Sequence, residues 1–122
     1  MEALKKPSPG MLERVIATVK DVAKEEVMPR YLKVAHQRKS DGSLFTAADI
    51  AAQEALCHRL PDIYSGPIVG EEMTPEQQAE YWLAGDEGLW CVDPIDGTSN
   101  FVNGLPYFAV SVALMKKGRS VL

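Results

Sequence analysis

Apolar residues recur at helical spacing near the start of the chain. Between Met11 and about Val27, this stripe consists of Leu12, Val15, Val19, Val22 and Val27, widened by Ile16 and Ala23. The spacing predicts an amphipathic helix. Pro29 is expected to end or bend this helix, because proline cannot donate the helical hydrogen bond.

Turn and cap residues indicate the next two elements. The polar segment 38–43 contains an Asp-Gly pair and predicts a hairpin or loop. Thr46-Ala47-Ala48-Asp49 fits a capping box, in which the first and fourth residues bond each other's backbone. A second helix is therefore predicted from this point to about Leu60, and Pro61 closes it.

Short apolar runs in the second half of the chain predict strands. Residues 67–70 and 89–92 are two such runs, which end on Glu71 and Asp93, and residues 108–115 form a longer one. A second capping box at residues 74–77 predicts a short surface helix between the first two strands. Residues 118–122 look like the turn into a further strand. This order indicates an α/β fold with helices layered on a sheet.

Composition narrows the class of protein. The 122 residues are about one domain, and a net charge of -4 leaves no basic stripe for nucleic acid. Cys57 and Cys91 do not make a disulfide framework or a zinc quartet, and both are expected to be buried thiols. No apolar run reaches the roughly 18 residues of a membrane span, and the N-terminus lacks a signal-peptide core. A cytoplasmic protein without a membrane partner is therefore expected.

Two carboxylates, Asp93 and Asp96, follow the second short strand. If Pro94 is the second residue of a type I turn, the turn brings Asp93 and Asp96 within about 7 Å of each other. The Ile95 carbonyl could face the same point, and Glu71 could add a third carboxylate if the two strands are neighbours. Mg²⁺ prefers such oxygen ligands. The alternative is that these acidic residues are solvated loop residues.

The residues that follow suggest a second ligand. Gly97 permits close backbone approach, and the amides of Gly97 and Thr98 at a turn or helix start are ready donors for phosphate. Asp49 has two compatible interpretations. It is the capping-box partner of Thr46, and its carboxylate could also help Thr98 orient a water molecule.

Four segments together resemble the inositol monophosphatase family of Mg²⁺-dependent, lithium-sensitive phosphatases. They are residues 45–49 (FTAAD), 68–72 (IVGEE), 90–101 (WCVDPIDGTSNF) and 109–113 (AVSVA), which occur in the family's order. The third segment is similar to the family signature almost letter for letter. The resemblance implies a sugar-phosphatase-like αβαβα architecture, of which residues 1–122 form only the N-terminal αβ portion.

The resemblance also implies a metal site. Glu71, Asp93 and the Ile95 carbonyl are expected to hold a first ion, and Asp93 and Asp96 contribute to a second. Glu71 also touches a third, looser ion. The implied cofactor is Mg²⁺, with two or three ions in the complete protein and Mn²⁺ as an alternative.

The implied catalytic residues are Thr98, Asp49 and Glu71. The Thr98 hydroxyl and Asp49 are expected to position the attacking water, while the amides of Gly97 and Thr98 meet the substrate phosphate. Glu72 resembles a supporting acidic residue, and Lys39 resembles a lysine at the lip of the family's site.

The chain departs from the family at its far end. Family members are roughly twice as long, and their second half adds a metal-binding Asp in a Trp-Asp motif that this sequence lacks. The expectation is therefore an N-terminal half whose open sheet edge invites association or disorder. A homodimer is expected.

These observations lead to one main hypothesis and two rivals. The main one is a Mg²⁺-dependent phosphomonoesterase acting on a small phosphorylated metabolite, first an inositol monophosphate, and otherwise histidinol phosphate, fructose bisphosphate or a 3'-phosphonucleotide. By resemblance, Ser99-Asn100-Phe101 favours the inositol or histidinol branch over the nucleotide branch. The rivals are a catalytically incomplete metal-binding fragment and an acidic α/β scaffold without a site.

Overall fold

The computed structural model describes residues 8–32, 36–38, 44–71 and 73–122. Helix α1 spans Met11–Val22 and continues through a π-helical turn, Ala23–Val27, into a 3-10 turn, Met28–Arg30. The first predicted helix is confirmed, and it ends at the turn that contains Pro29. Its last turns leave the regular α-helical pattern beside this residue, which has no N–H to donate.

Three further helices follow, and two of them begin with the predicted caps. Helix α2 spans Ala47–Arg59, α3 spans Pro75–Ala84 and α4 spans Thr98–Val102. The capping boxes before α2 and α3 are both confirmed. In each, a threonine hydroxyl accepts a backbone N–H of the first helical turn and so satisfies a donor that the helix leaves unpaired. Helix α4 was not predicted.

The strands form two sheets. Strands β1 (His36–Arg38) and β2 (Leu44–Thr46) pair antiparallel, which confirms the predicted hairpin. The main sheet contains β3 (Ile68–Gly70), β4 (Leu89–Asp96), β5 (Ala109–Lys116) and β6 (Arg119–Ser120), in the order β3-β4-β5-β6. Strands β3 and β4 are parallel, and the other pairs are antiparallel. The predicted α/β fold class is therefore confirmed.

Helices α1 and α2 share one hydrophobic core with the sheet. Its buried members from the helices include Val15, Val22, Ala52 and Leu56, and those from the sheet include Trp90, Val92 and Leu114. The indole N–H of Trp90 donates to the Tyr64 carbonyl at 2.9 Å, so its burial leaves no unpaired donor. This packing fixes α2 beside β4, and the candidate site lies at one end of that contact.

Two smaller expectations have different outcomes. The expectation that both cysteines are buried is wrong, because Cys57 is exposed on α2 and Cys91 is only half-buried in β4. Helical geometry turns Cys57 outward from its buried neighbour Leu56. None of the described helices is long and apolar enough to span a membrane.

Candidate functional site

Parallel pairing brings the first two candidate carboxylates to the same edge of the sheet. Gly70 of β3 is in register with Val92 of β4, so the next residue in each segment is a candidate ligand, Glu71 after β3 and Asp93 within β4. The carboxyl ends of adjacent strands are where open α/β sheets place their ligands. The condition set by the sequence, that the two apolar runs must be neighbours, is met.

The segment from Asp93 to Asp96 is a bulged strand, and the prediction of a type I turn is wrong. Asp93 pairs with Ser111 and Asp96 with Ala109, so three steps along β4 oppose two along β5. Pro94 cannot donate a ladder hydrogen bond, and bulges accommodate such residues. The irregularity leaves Pro94 buried and Ile95 only 2% exposed, while Asp96 faces solvent.

Asp93 lies in an unfavourable place for a negative charge. Burial is the main cause that raises its pKa to about 6, followed by the charges of Glu71 and Asp96 and, more weakly, Asp49. A backbone hydrogen bond from Ile95 opposes the increase. The carboxylates of Glu71 and Asp96 are therefore close enough to Asp93 to repel it electrostatically.

Asp49 lies next to this edge and is completely buried. Its Oδ2 accepts the Thr46 N–H and the Thr46 hydroxyl, each at 2.8 Å. Its Oδ1 accepts the Thr98 hydroxyl at 3.1 Å. The two interpretations of Asp49 are thus compatible in geometry, because one oxygen serves the helix cap and the other contacts Thr98.

The Thr98 hydroxyl is buried between two acceptors. Besides the Asp49 carboxylate, the Ile95 carbonyl lies 3.0 Å from its Oγ1. A hydroxyl has one proton and two lone pairs. Once that proton is donated to either acceptor, the lone pairs of Oγ1 can accept a hydrogen bond from a water molecule.

Gly97 starts α4 in a conformation that favours glycine. Its φ is +92°, and an added Cβ would lie 2.8 Å from the Tyr107 carbonyl oxygen. Both the backbone angle and the lack of space therefore require glycine here. Gly97 precedes the first turn of α4, where amide groups are available to an anion.

An open depression of about 370 Å³ adjoins this corner. Its lining includes Asp96, Gly97, Asn100, Tyr107 and Phe108. The Asn100 side chain donates to the Tyr107 carbonyl at 2.9 Å and holds the loop that forms the far wall. The depression gives a small molecule access to the corner formed by Asp96 and Gly97.

The chemistry of these residues fits a hard cation. They offer three carboxylates and a backbone carbonyl, and the buried Oδ1 of Asp93 has no hydrogen-bond partner among the described residues. Within the same residues, no three acidic, imidazole or thiol side chains converge closely enough to hold an ion as they stand. Like charges that share a site repel one another, and a bound cation relieves this repulsion.

The structure adds one residue, Thr46, to the predicted site residues. Thr46, predicted only as a cap, is 2% exposed and gives two hydrogen bonds to Asp49. An Asp at the fourth position of the capping box was the available signal. Lys39 and Glu72 lie outside the described residues.

Comparison with known proteins identifies the family. The inositol monophosphatase family matches residues 11–122, and the chain belongs to this family. It is 35% identical over 120 residues to the 3'(2'),5'-bisphosphate nucleotidase CysQ of Salmonella typhimurium, an alignment that covers 92% of this chain and 46% of that protein. The chain thus spans less than half the length of this curated relative.

Solved structures show the same fold. An inositol monophosphatase (IMPase) of Thermotoga maritima superposes with a TM-score of 0.75 at 30% identity, over 89% of this chain and 41% of that one. An IMPase/NADP phosphatase complexed with Mg²⁺ and phosphate superposes with a TM-score of 0.68 at 22% identity, over 89% and 41%. These shares are consistent with an N-terminal portion of the inositol monophosphatase fold.

Proposed function

We propose that this chain forms the metal- and phosphate-binding part of a Mg²⁺-dependent phosphomonoesterase that hydrolyses a small phosphorylated metabolite. The observation that carries this proposal is the register of β3 with β4. It places Glu71 beside Asp93, a short distance along β4 from the Gly97-Thr98 corner. Carboxylates and phosphate-binding amides in one place are what metal-assisted phosphoryl transfer requires.

Four residues are proposed as metal ligands. Glu71, Asp93 and the Ile95 carbonyl hold a first ion, and Asp93 and Asp96 contribute to a second. When the single Thr98 hydroxyl proton is donated to Asp49, the Ile95 carbonyl keeps its lone pairs for a cation. When bound, Mg²⁺ lowers the pKa of a coordinated water and neutralises charge on the phosphoryl oxygens. Support for a divalent ion comes from the IMPase/NADP phosphatase complexed with Mg²⁺.

Thr98 and Asp49 are proposed to position the attacking water. Asp49 accepts a hydrogen bond from the Thr98 hydroxyl, which fixes the orientation of the hydroxyl and directs its lone pairs towards a water molecule. The Thr46 hydrogen bonds hold Asp49 rigidly in turn. Glu71 contributes a negative charge near the attacking water, and this charge favours removal of a proton from the water.

Gly97 and Thr98 are proposed to bind the substrate phosphate through their backbone amides. The first amides of a helix are not used by the helix itself, and they point along its axis. The glycine leaves no side chain between the phosphate and these donors. The depression beside Asp96 then accommodates the rest of the substrate.

An inositol monophosphate is the substrate that we propose first, on the likeness of Ser99-Asn100-Phe101 to the inositol or histidinol branch of the family. The similarity to CysQ, a bisphosphate nucleotidase, supports a 3'-phosphonucleotide as the principal alternative. Both are small phosphate monoesters, so the proposed metal and phosphate contacts serve either. Assays of phosphate release on both compounds, with Mg²⁺ and with EDTA, distinguish them.

Two neighbouring hydroxyls provide a matched test of the proposed reaction. Thr98→Val removes the buried hydroxyl and keeps the shape of the side chain, and we expect kcat to fall by about 100-fold or more. Ser99→Ala removes an exposed hydroxyl one residue further on and should leave kcat unchanged. Circular dichroism checks that both variants fold. Mg²⁺ binding without any phosphate release by the unmodified protein would support the incomplete-fragment alternative.

A homodimer is proposed as the assembled state, with an exposed apolar patch as support. Leu32, Leu105 and Tyr107 are 71%, 49% and 75% exposed. The Leu32 side chain lies next to Gly104, the residue before Leu105, so Leu32 is close to the segment that carries Leu105 and Tyr107. Surfaces of this kind mark association sites. Analytical ultracentrifugation should show a dimer for the unmodified protein and a monomer for Leu105→Asp. A cytoplasmic location stays a prediction from the sequence.

A further inference from the structure

The side chain of Gln53 lies directly against the end of β3. Gln53 follows Asp49 by one helical turn, so both side chains extend from the same face of α2. A Cβ placed on Gly70 would lie 2.7 Å from Gln53 Nε2 and 3.1 Å from its Oε1. Gly70 is not among the glycines with positive φ, so the constraint on this position is the space that the Gln53 amide occupies and not backbone conformation.

The amide of Gln53 is poorly satisfied in this position. Its Oε1 is buried and has no hydrogen-bond partner among the described residues. Its Nε2 contacts only a weak acceptor in the described structure, the Cys57 sulfur at 3.5 Å. A buried polar atom without a partner reduces stability, and an apolar side chain of the same shape avoids this loss. Such an atom requires an explanation in a native structure.

We propose that Gln53 is a positioning residue of the metal site. Its amide, packed on Gly70, holds the end of β3 and with it the next residue, Glu71, where that carboxylate meets the ion. The buried Oε1 gains its hydrogen bond when the site is loaded, from a backbone N–H or a water molecule at the end of β3. Helix α2 then supports both halves of the site, with Asp49 at Thr98 and Gln53 at Glu71. This inference rests on the proposed function.

The test separates apo stability from metal binding. Gln53→Met keeps the length of the side chain and removes the amide. We expect its melting temperature without metal to be equal to or above that of the unmodified protein. The Mg²⁺ concentration at the midpoint of the metal-induced thermal shift should rise about tenfold, as is typical when the partner of a ligand is lost. An unchanged midpoint would overturn the inference.

A double-mutant cycle tests the contact with Gly70. Gly70→Ala requires only the flexible end of Gln53 to move, so the variant should fold, and it displaces the amide. We expect Gly70→Ala and Gln53→Ala each to raise the Mg²⁺ midpoint, and the double variant to raise it no further than either alone. Additive effects would refute a shared mechanism. If the unmodified protein shows no Mg²⁺ shift, the proposed function fails instead, which is a distinguishable result.

Discussion

Replacing Asp93 by Asn should stabilise the metal-free protein while removing its response to Mg²⁺. The difference between the ordinary pKa of 3.8 and about 6 is equivalent to about 3 kcal/mol for a fully desolvated group. Asp93 is only partly buried, and solvent screening reduces this penalty to about 1 kcal/mol. Asn is neutral and has the same shape, so it avoids the penalty at pH 7.

The pH dependence has a defined sign. The folded state holds the Asp93 proton more tightly than the unfolded state, so the unmodified protein loses stability as pH rises from about 4 to about 6. The Asn variant has no such titration. The difference between their free energies of unfolding should therefore grow across this interval and stay constant above it.

Urea unfolding at several pH values, with and without Mg²⁺, measures both effects. Mg²⁺ should raise the free energy of unfolding of the unmodified protein, because an ion that binds only the folded state stabilises it. It should do little for Asp93→Asn. Asp86→Asn, in the exposed turn before β4, is the matched control and should keep the Mg²⁺ response. A metal-free Asp93→Asn protein less stable than the original at pH 7, or one that still responds to Mg²⁺, would refute the reasoning.

Three other changes test separate parts of the structure. Gly97→Ala places a Cβ 2.8 Å from the Tyr107 carbonyl oxygen at a residue with positive φ. The free energy of unfolding in urea should fall by about 1–3 kcal/mol, and phosphate should bind more weakly in competition assays. Thr46→Ala removes the hydroxyl that caps α2 and donates to Asp49, while the Thr46 backbone N–H still donates to the same carboxylate. The melting temperature should therefore fall by the equivalent of about 1–2 kcal/mol, and a Ser replacement should restore most of it. Tyr31→Phe removes the 2.6 Å hydrogen bond to the Gly104 carbonyl and should cost about 1 kcal/mol. Because this bond involves none of the proposed metal ligands, Mg²⁺ affinity should stay unchanged, and a large change in affinity would contradict that set of ligands.

Local chemistry made part of the site predictable. The two capping boxes depend on hydrogen bonds within four residues, and both form as the sequence indicates. The apolar runs at residues 67–70 and 89–92 predict two strands, and Glu71 and Asp93 directly follow these runs in the sequence. Glu71 and Asp93 lie at the same edge of the sheet only if β3 and β4 are neighbours, and the sequence does not determine which strands pair.

Long-range pairing decided what the sequence could not show. The Asp93–Asp96 segment suits a type I turn by its Pro94, yet pairing with Ser111 and Ala109 on a distant strand extends it into a bulge. Gln53 gives no sequence signal, because a glutamine within a helix is ordinarily solvated. Only the folded structure, in which α2 lies beside β4, places the Gln53 amide against Gly70 of β3.

Because a single carboxylate, Asp49, closes the cap of α2 and also holds Thr98, folding and the proposed reaction depend on the same side chain. Heating that frays the first turn of α2 releases the Thr98 hydroxyl at the same moment. Thermal inactivation should therefore coincide with the loss of helical circular dichroism and should not precede it.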